Sequence, residues 1–420
     1  MLSIHCRARL CRQAVLLTAT LLLSACIGGS GKPAPAAASA PPVLNTAAVI
    51  VDSGPAAASG AINHAYVTVR VCVSGSQGQC ANIDHVLLDT GSSGLRLVGS
   101  VLTAAAVTLS SETDSQGRTI EECVSFAGGQ TWGPVALADI SIAGETAAKL
   151  PVQIMDDAGA GAPAPASCGA NGTLVNGVTG FDANGVMGVG VMAQDCGSAC
   201  VAAATPLPVY YGCTSGGVCG AENSALSAQV TNPVAAFAAD NNGIIVDLPN
   251  LTNDNGDATV QGQVIFGIGT QADNIMPATA ITVLGANASG DFSATYNGSS
   301  SALPALIYSG TDSYSFNDST LALCTGAWVG YYCPTVAPQS VYAVNTGATG
   351  VSVPSVSNMV NFAIANPNTF VPTAAAYIDL AAGGGSTNFT WGMPFFYGRK
   401  VYIGIEERAA GSYTGPFYAY

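Results

Sequence analysis

The chain is predicted to be all-β, and three observations carry that reading. Short aliphatic runs alternate with Gly, Asn and Asp turns, and 50 of the 420 residues are glycine. Long amphipathic stretches of helical period are hard to find. One plan occurs twice, a strand running into a tight polar turn and, further on, an apolar pair followed by glycine.

Before the first strand lies a leader. Arg7, Arg9 and Arg12 precede the apolar run Ala14 to Leu23, which is too short to span a bilayer, and Ser24-Ala25-Cys26 closes it. This resembles a bacterial lipoprotein signal over residues 1–25. The resemblance implies cleavage before Cys26, a diacylglycerol thioether on its sulfur, and acyl chains that hold the protein on a membrane. Ile27, a non-acidic residue, implies transfer to the outer membrane. Residues 26–46, rich in Gly, Ala, Ser and Pro, read as a tether. The run Gly28-Gly29-Ser30-Gly31-Lys32 is not a phosphate loop, because Pro33 stands where a magnesium-holding hydroxyl belongs.

Without the leader, eight basic residues face 25 acidic ones, a net charge of 17 negative. That balance excludes nucleic acid as an expected partner. Ten cysteines remain beyond Cys26, an even number that in an exported chain reads as up to five disulfides. Cys72 with Cys80 and Cys324 with Cys333 are close enough for local bridges, while Cys196, Cys200, Cys213 and Cys219 allow three pairings.

Strands are expected at Tyr66 to Val73, Val86 to Leu88, Val135 to Ile142 and Val152 to Met155, with a surface loop from Asp156 to Cys168. Val86 to Leu88 runs directly into Asp89-Thr90-Gly91-Ser92-Ser93-Gly94, which sets a carboxylate at a strand end. Phe181 to Gly190 supplies the apolar pair and glycine. Asn232 to Gly243 leads into a second half with strands at Ile244 to Leu248, Gln263 to Ile268, Phe292 to Tyr296 and Val401 to Ile405. Two lobes are therefore expected, 47–230 and 231–420, each long enough for its own core.

Asp89-Thr90-Gly91, the hairpin around Val124 to Gly129 and the segment Phe181 to Gly190 stand in the order found in the N-terminal lobe of pepsin-like aspartic peptidases. The chain resembles that family, and most closely an uncharacterised bacterial group of pepsin-related lipoproteins marked by Trp391-Gly392-Met393-Pro394-Phe395-Phe396-Tyr397-Gly398-Arg399. The resemblance implies a bilobal pepsin-like fold with a cleft between the lobes, and a catalytic first acid at Asp89. Tyr308-Ser309-Gly310-Thr311 then occupies the second acid turn, and Trp391-Gly392 the second apolar-Gly pair. It also implies that Thr90 and Ser309 lock the two turns from below, that Ser92 and Thr311 bond the outer carboxylate oxygens, and that Phe126 stands near the flap tyrosine. Arg96 falls where a tryptophan is usual.

Two facing carboxylates that share a proton are what such peptidases use on a bound water. A phenol at position 308 stays protonated near neutral pH and cannot alternate as acid and base. Catalysis is therefore expected to be impaired, with peptide or protein binding in the cleft as the remaining role. The alternative is an active endopeptidase in which Asp312, four residues on, substitutes. His64 and His85, each read as a surface or strand-end residue, lie in no serine-hydrolase or zinc-peptidase pattern. The Asn253 to Asp257 run lacks a glutamate at the twelfth position of a calcium loop. No cofactor or metal is expected, and a monomer is.

Overall fold

Alternation along the strands sets the architecture. In β2 (Ala65–Val73) Thr68 and Arg70 point to solvent while Val67, Val69 and Val71 are buried, the two-residue period of a strand covered on one face. In β3 (Cys80–Asp89) the last four residues are all buried, which follows from neighbours on both sides and cover on both faces. The computed structural model describes residues 44–76, 78–159, 161–169, 173–383 and 387–420. The leader, most of the tether and Cys26 lie outside the described residues. Among those described, no helix is long and apolar enough to cross a membrane.

β1 (Thr46–Val51) begins on the last residue expected for the tether, and pairs with β2 and with the strand Val260–Phe266. β4 (Ser93–Val98) follows the acid turn. β5 (Thr119–Phe126) and β6 (Gly129–Ile142) form a hairpin closed by Ala127 and Gly128. β7 (Glu145–Met155) completes that layer, and β8 (Gly185–Val189) carries the first apolar-Gly pair. A fifteen-stranded sheet takes in all eight, extends beyond β5 through Tyr210–Cys213 and Cys219–Ala221, and beyond β1 runs on through Val260–Phe266, Gly243–Leu248, Arg399–Gly404, Phe417–Ala419 and Val283–Gly285. A second sheet of seven strands is built wholly from residues between Phe292 and Trp391.

The crossed loops give the fold its two-fold plan. β8 lies parallel to β3 and antiparallel to β4. In the second sheet Phe389–Trp391 lies parallel to Leu303–Ile307 and antiparallel to Tyr314–Ser315. The all-β, two-lobed arrangement expected from the sequence is therefore the one formed. Beneath the first crossing the core is aliphatic, with Val86, Leu88, Leu95, Leu97 and Met187. Beneath the second it is aromatic, where Phe316 and Phe389 stack with centroids 5.3 Å apart and Trp391 packs on Phe362 and Tyr314.

All five disulfides form. Besides Cys72–Cys80 and Cys324–Cys333, the open set resolves as Cys196–Cys200 and Cys213–Cys219. Cys123–Cys168 joins β5 to the end of the 156–168 loop.

Candidate functional site

The two polar turns meet at their tips through four hydrogen bonds. The Thr90 hydroxyl donates to Ile307 O at 2.8 Å and accepts from Ser309 N at 3.0 Å. The Ser309 hydroxyl donates to Leu88 O at 2.5 Å and accepts from Thr90 N at 3.1 Å. Both residues are buried, so each bond replaces water that could not reach those backbone groups. Here the arrangement inferred from the sequence and the geometry coincide.

Above this lock the halves diverge. Asp89, 1 % exposed, accepts from Gly91 N at 2.8 Å through Oδ1 and from the Ser92 hydroxyl at 2.6 Å through Oδ2. Burial pushes its carboxyl up, against the pull of the Ser92 hydroxyl, the Gly91 amide and the Arg96 charge. Across from it the Tyr308 ring lies against both glycines. A Cβ on Gly91 would sit 2.3 Å from the ring, and one on Gly310 would sit 2.5 Å from the ring and 2.7 Å from Asp89 Oδ1. Only glycine fits at either place. Burial first, then the nearby Asp89 charge, holds the Tyr308 phenol well above its ordinary range.

Two implied roles need correction. Thr311 makes no hydrogen bond to Tyr308 or Asp89 through its hydroxyl among the described residues, because residue 308 offers no carboxylate to receive one; its carbonyl accepts from Met393 N at 2.8 Å. Asp312 is not presented to Asp89. Its carboxylate accepts from the Tyr331 hydroxyl, and its carbonyl accepts from Asn63 at 2.6 Å.

Phe126 ends the strand that leads into the hairpin turn and reaches over the site. Arg96, 1 % exposed in β4, places its guanidinium 5.6 Å from the centre of the Phe126 ring. From below it is held by Glu122 at 2.7 Å, Asp195 at 3.3 Å and Ser93 O at 2.8 Å. A buried arginine thus stands beneath the hairpin tip. A groove of about 620 Å³ runs past Thr90, Ser92, Arg96, Phe126, Gln130 and Tyr308.

His64 was not expected here. It immediately precedes β2, as a strand-end residue, yet it lines a smaller cavity with Asp89, Phe126, Phe181, Asp182 and Tyr308. Burial lowers its pKa, opposed by the carboxylates of Asp312 and Asp182. No local pattern around His64 signals this; it depends on how β2 meets the turn at Asp182, where the Tyr66 hydroxyl donates to Asp182 O at 2.7 Å. Among the described residues no three His, Cys, Asp or Glu side chains are grouped to hold a metal.

Two crossed loops locked tip to tip, Asp89 on one turn and Tyr308 on the other, with a hairpin beside both, give the pepsin-like fold expected from the sequence. The chain belongs to the family described as Protein of unknown function (DUF3443), whose model matches residues 41–420. No curated protein matches it. Among solved structures it is similar to an aspartic proteinase from Irpex lacteus at 13 % identity, covering 89 % of this chain and 96 % of that one, with a TM-score of 0.49. The fold rests on the crossed loops themselves.

Proposed function

We propose that this chain is a cell-envelope protein, anchored through a lipid on Cys26, whose aspartic-peptidase-like cleft binds an extended peptide without cutting it. The observation that carries the reading is Tyr308 in the second acid position. Its ring packs on Gly91 and its phenol is held protonated, so Asp89 has no carboxylate across the cleft with which to share a proton. The lock formed by Thr90 and Ser309 and the groove under Phe126 are kept, which supports binding with the chemistry removed.

Cleavage of a denatured protein substrate between pH 3 and 7 tests this. The expected result is no product above that of Asp89→Asn; acid-optimum cleavage abolished by Asp89→Asn would overturn the reading. A second reading, an endopeptidase in which Asp89 works with a non-carboxylate partner, draws on the intact hydrogen bonds from Gly91 and Ser92 to Asp89. That same assay decides between the two.

A further inference from the structure

The groove and the smaller cavity share Phe126, Ala127 and Tyr308 as a common wall. Beyond it lies a space of about 160 Å³. Its sides are aromatic: Phe126 and Phe181 meet edge to face with centroids 5.0 Å apart, and the Tyr308 and His64 rings complete the lining. Apart from the Tyr308 hydroxyl, its polar side chains can accept hydrogen bonds. Asp89 and Asp182 both line it, and neither has a cationic side chain within ion-pair distance among the described residues. Nδ1 of His64 is buried with no hydrogen-bond partner. Burial favours the neutral imidazole, which keeps an acceptor nitrogen.

We propose that this cavity is a cation pocket that takes the ammonium or guanidinium of a lysine or arginine side chain in a peptide lying in the cleft. The proposal rests on the reading of the cleft as a peptide site and names the class of peptide. Aromatic faces attract a desolvated cation, and the buried Asp89 and half-buried Asp182, neither held in an ion pair, gain a close counter-charge when it enters. The volume holds roughly five water-sized groups, which suits four methylenes and an ammonium. An organic cation fits better than a metal, since no three ligating side chains converge there. The formal net charge of −14 steers basic ligands toward the chain.

The test uses the full chain and fluorescent octapeptides identical except for one central residue, Lys, Arg, norleucine or Glu. Binding is followed by anisotropy, and n-butylammonium is titrated separately while the His64 ring resonances are watched by NMR. The expected result is that Lys and Arg peptides bind at least roughly tenfold more tightly than norleucine, with Glu weakest. Asp182→Asn removes that preference, read as the ratio of Lys to norleucine affinity, and n-butylammonium shifts His64 in the parent only. Peptides that bind with no preference for Lys or Arg, while n-butylammonium leaves His64 unmoved, overturn the cation pocket and spare the peptide reading. If no peptide binds while n-butylammonium shifts His64 in the parent and not in Asp182→Asn, the peptide reading fails and the pocket stands. If neither probe acts, both fail.

Discussion

The two crossed loops share a base and differ at the top. From Leu88 to Thr90 and from Ile307 to Ser309 the hydrogen bonds are reciprocal, hydroxyl to carbonyl and amide to hydroxyl. One residue away the first loop fixes a carboxylate with an amide and a hydroxyl, whereas the second lays a phenol ring across the glycine of its partner. The layer that holds the lobes together is thus separable from the layer that would do chemistry. The first is intact here with a single carboxylate, Asp89, above it.

Removing that tolerance should have the largest effect. Gly91→Ala places a methyl 2.3 Å from Tyr308 and is expected to destabilise by about 3 kcal/mol. Combining it with Tyr308→Ala should recover most of the loss, read as the urea midpoint. Failure to recover would mean that the ring is not what excludes a side chain there. Next come the shared bonds. Thr90→Val and Ser309→Ala each leave buried backbone groups unpaired and should cost about 2 kcal/mol, with the double variant well short of the sum because both act on one network. Additive losses would show two independent loops.

A third effect divides the halves by pH. The buried glutamates Glu121, Glu122 and Glu145 all belong to the first half. Burial, with the neighbouring Asp156 charge, pushes Glu121 up to about 8; burial, with Asp240, pushes Glu145 to about 7. Both halves also bury phenols, Tyr66 and Tyr210 in the first and Tyr314, Tyr397 and Tyr418 in the second, all raised first by burial and so uncharged throughout. Because the folded pKa of each glutamate lies above its unfolded value, the folded form binds more protons. Their contribution is full below about pH 4.5 and is lost as pH rises through 7 and 8. Glu121→Gln should flatten the fall in stability between pH 5 and 8.5 by an amount on the order of 2 kcal/mol. The smallest effect is expected from Tyr331→Phe, which frees Asp312 at a cost of about 1 kcal/mol or less.

What could be read from the sequence was what local chemistry dictates. Three aliphatic residues followed by Asp89-Thr90-Gly91 announce a strand and a tight turn, and Tyr308-Ser309-Gly310 repeats that grammar with the acid replaced. The lock between Thr90 and Ser309 followed from the resemblance, since these residues keep their hydroxyls. Asp312 shows the limit. Its spacing from Tyr308 is compatible with a substitute acid, but its direction is set by Tyr331, a residue on a disulfide-bounded loop nineteen positions away. His64 and Asp182 meet only because β2 and the turn before β8 are brought together by tertiary packing, and periodicity carries no trace of that. The pairing of Cys196 with Cys200 was equally open, because four nearby cysteines satisfy several chain geometries.

The first strand has a consequence for the order of assembly. β1 pairs over only two residues with its neighbour in sequence, β2, and over six with Val260–Phe266, which the ribosome delivers some two hundred residues later. Until that segment arrives, the early half carries an open β edge at its own beginning, a surface prone to unwanted pairing and one that slows folding. Maturation of this chain is closed like a clasp, by returning the far half to the strand with which the near half began.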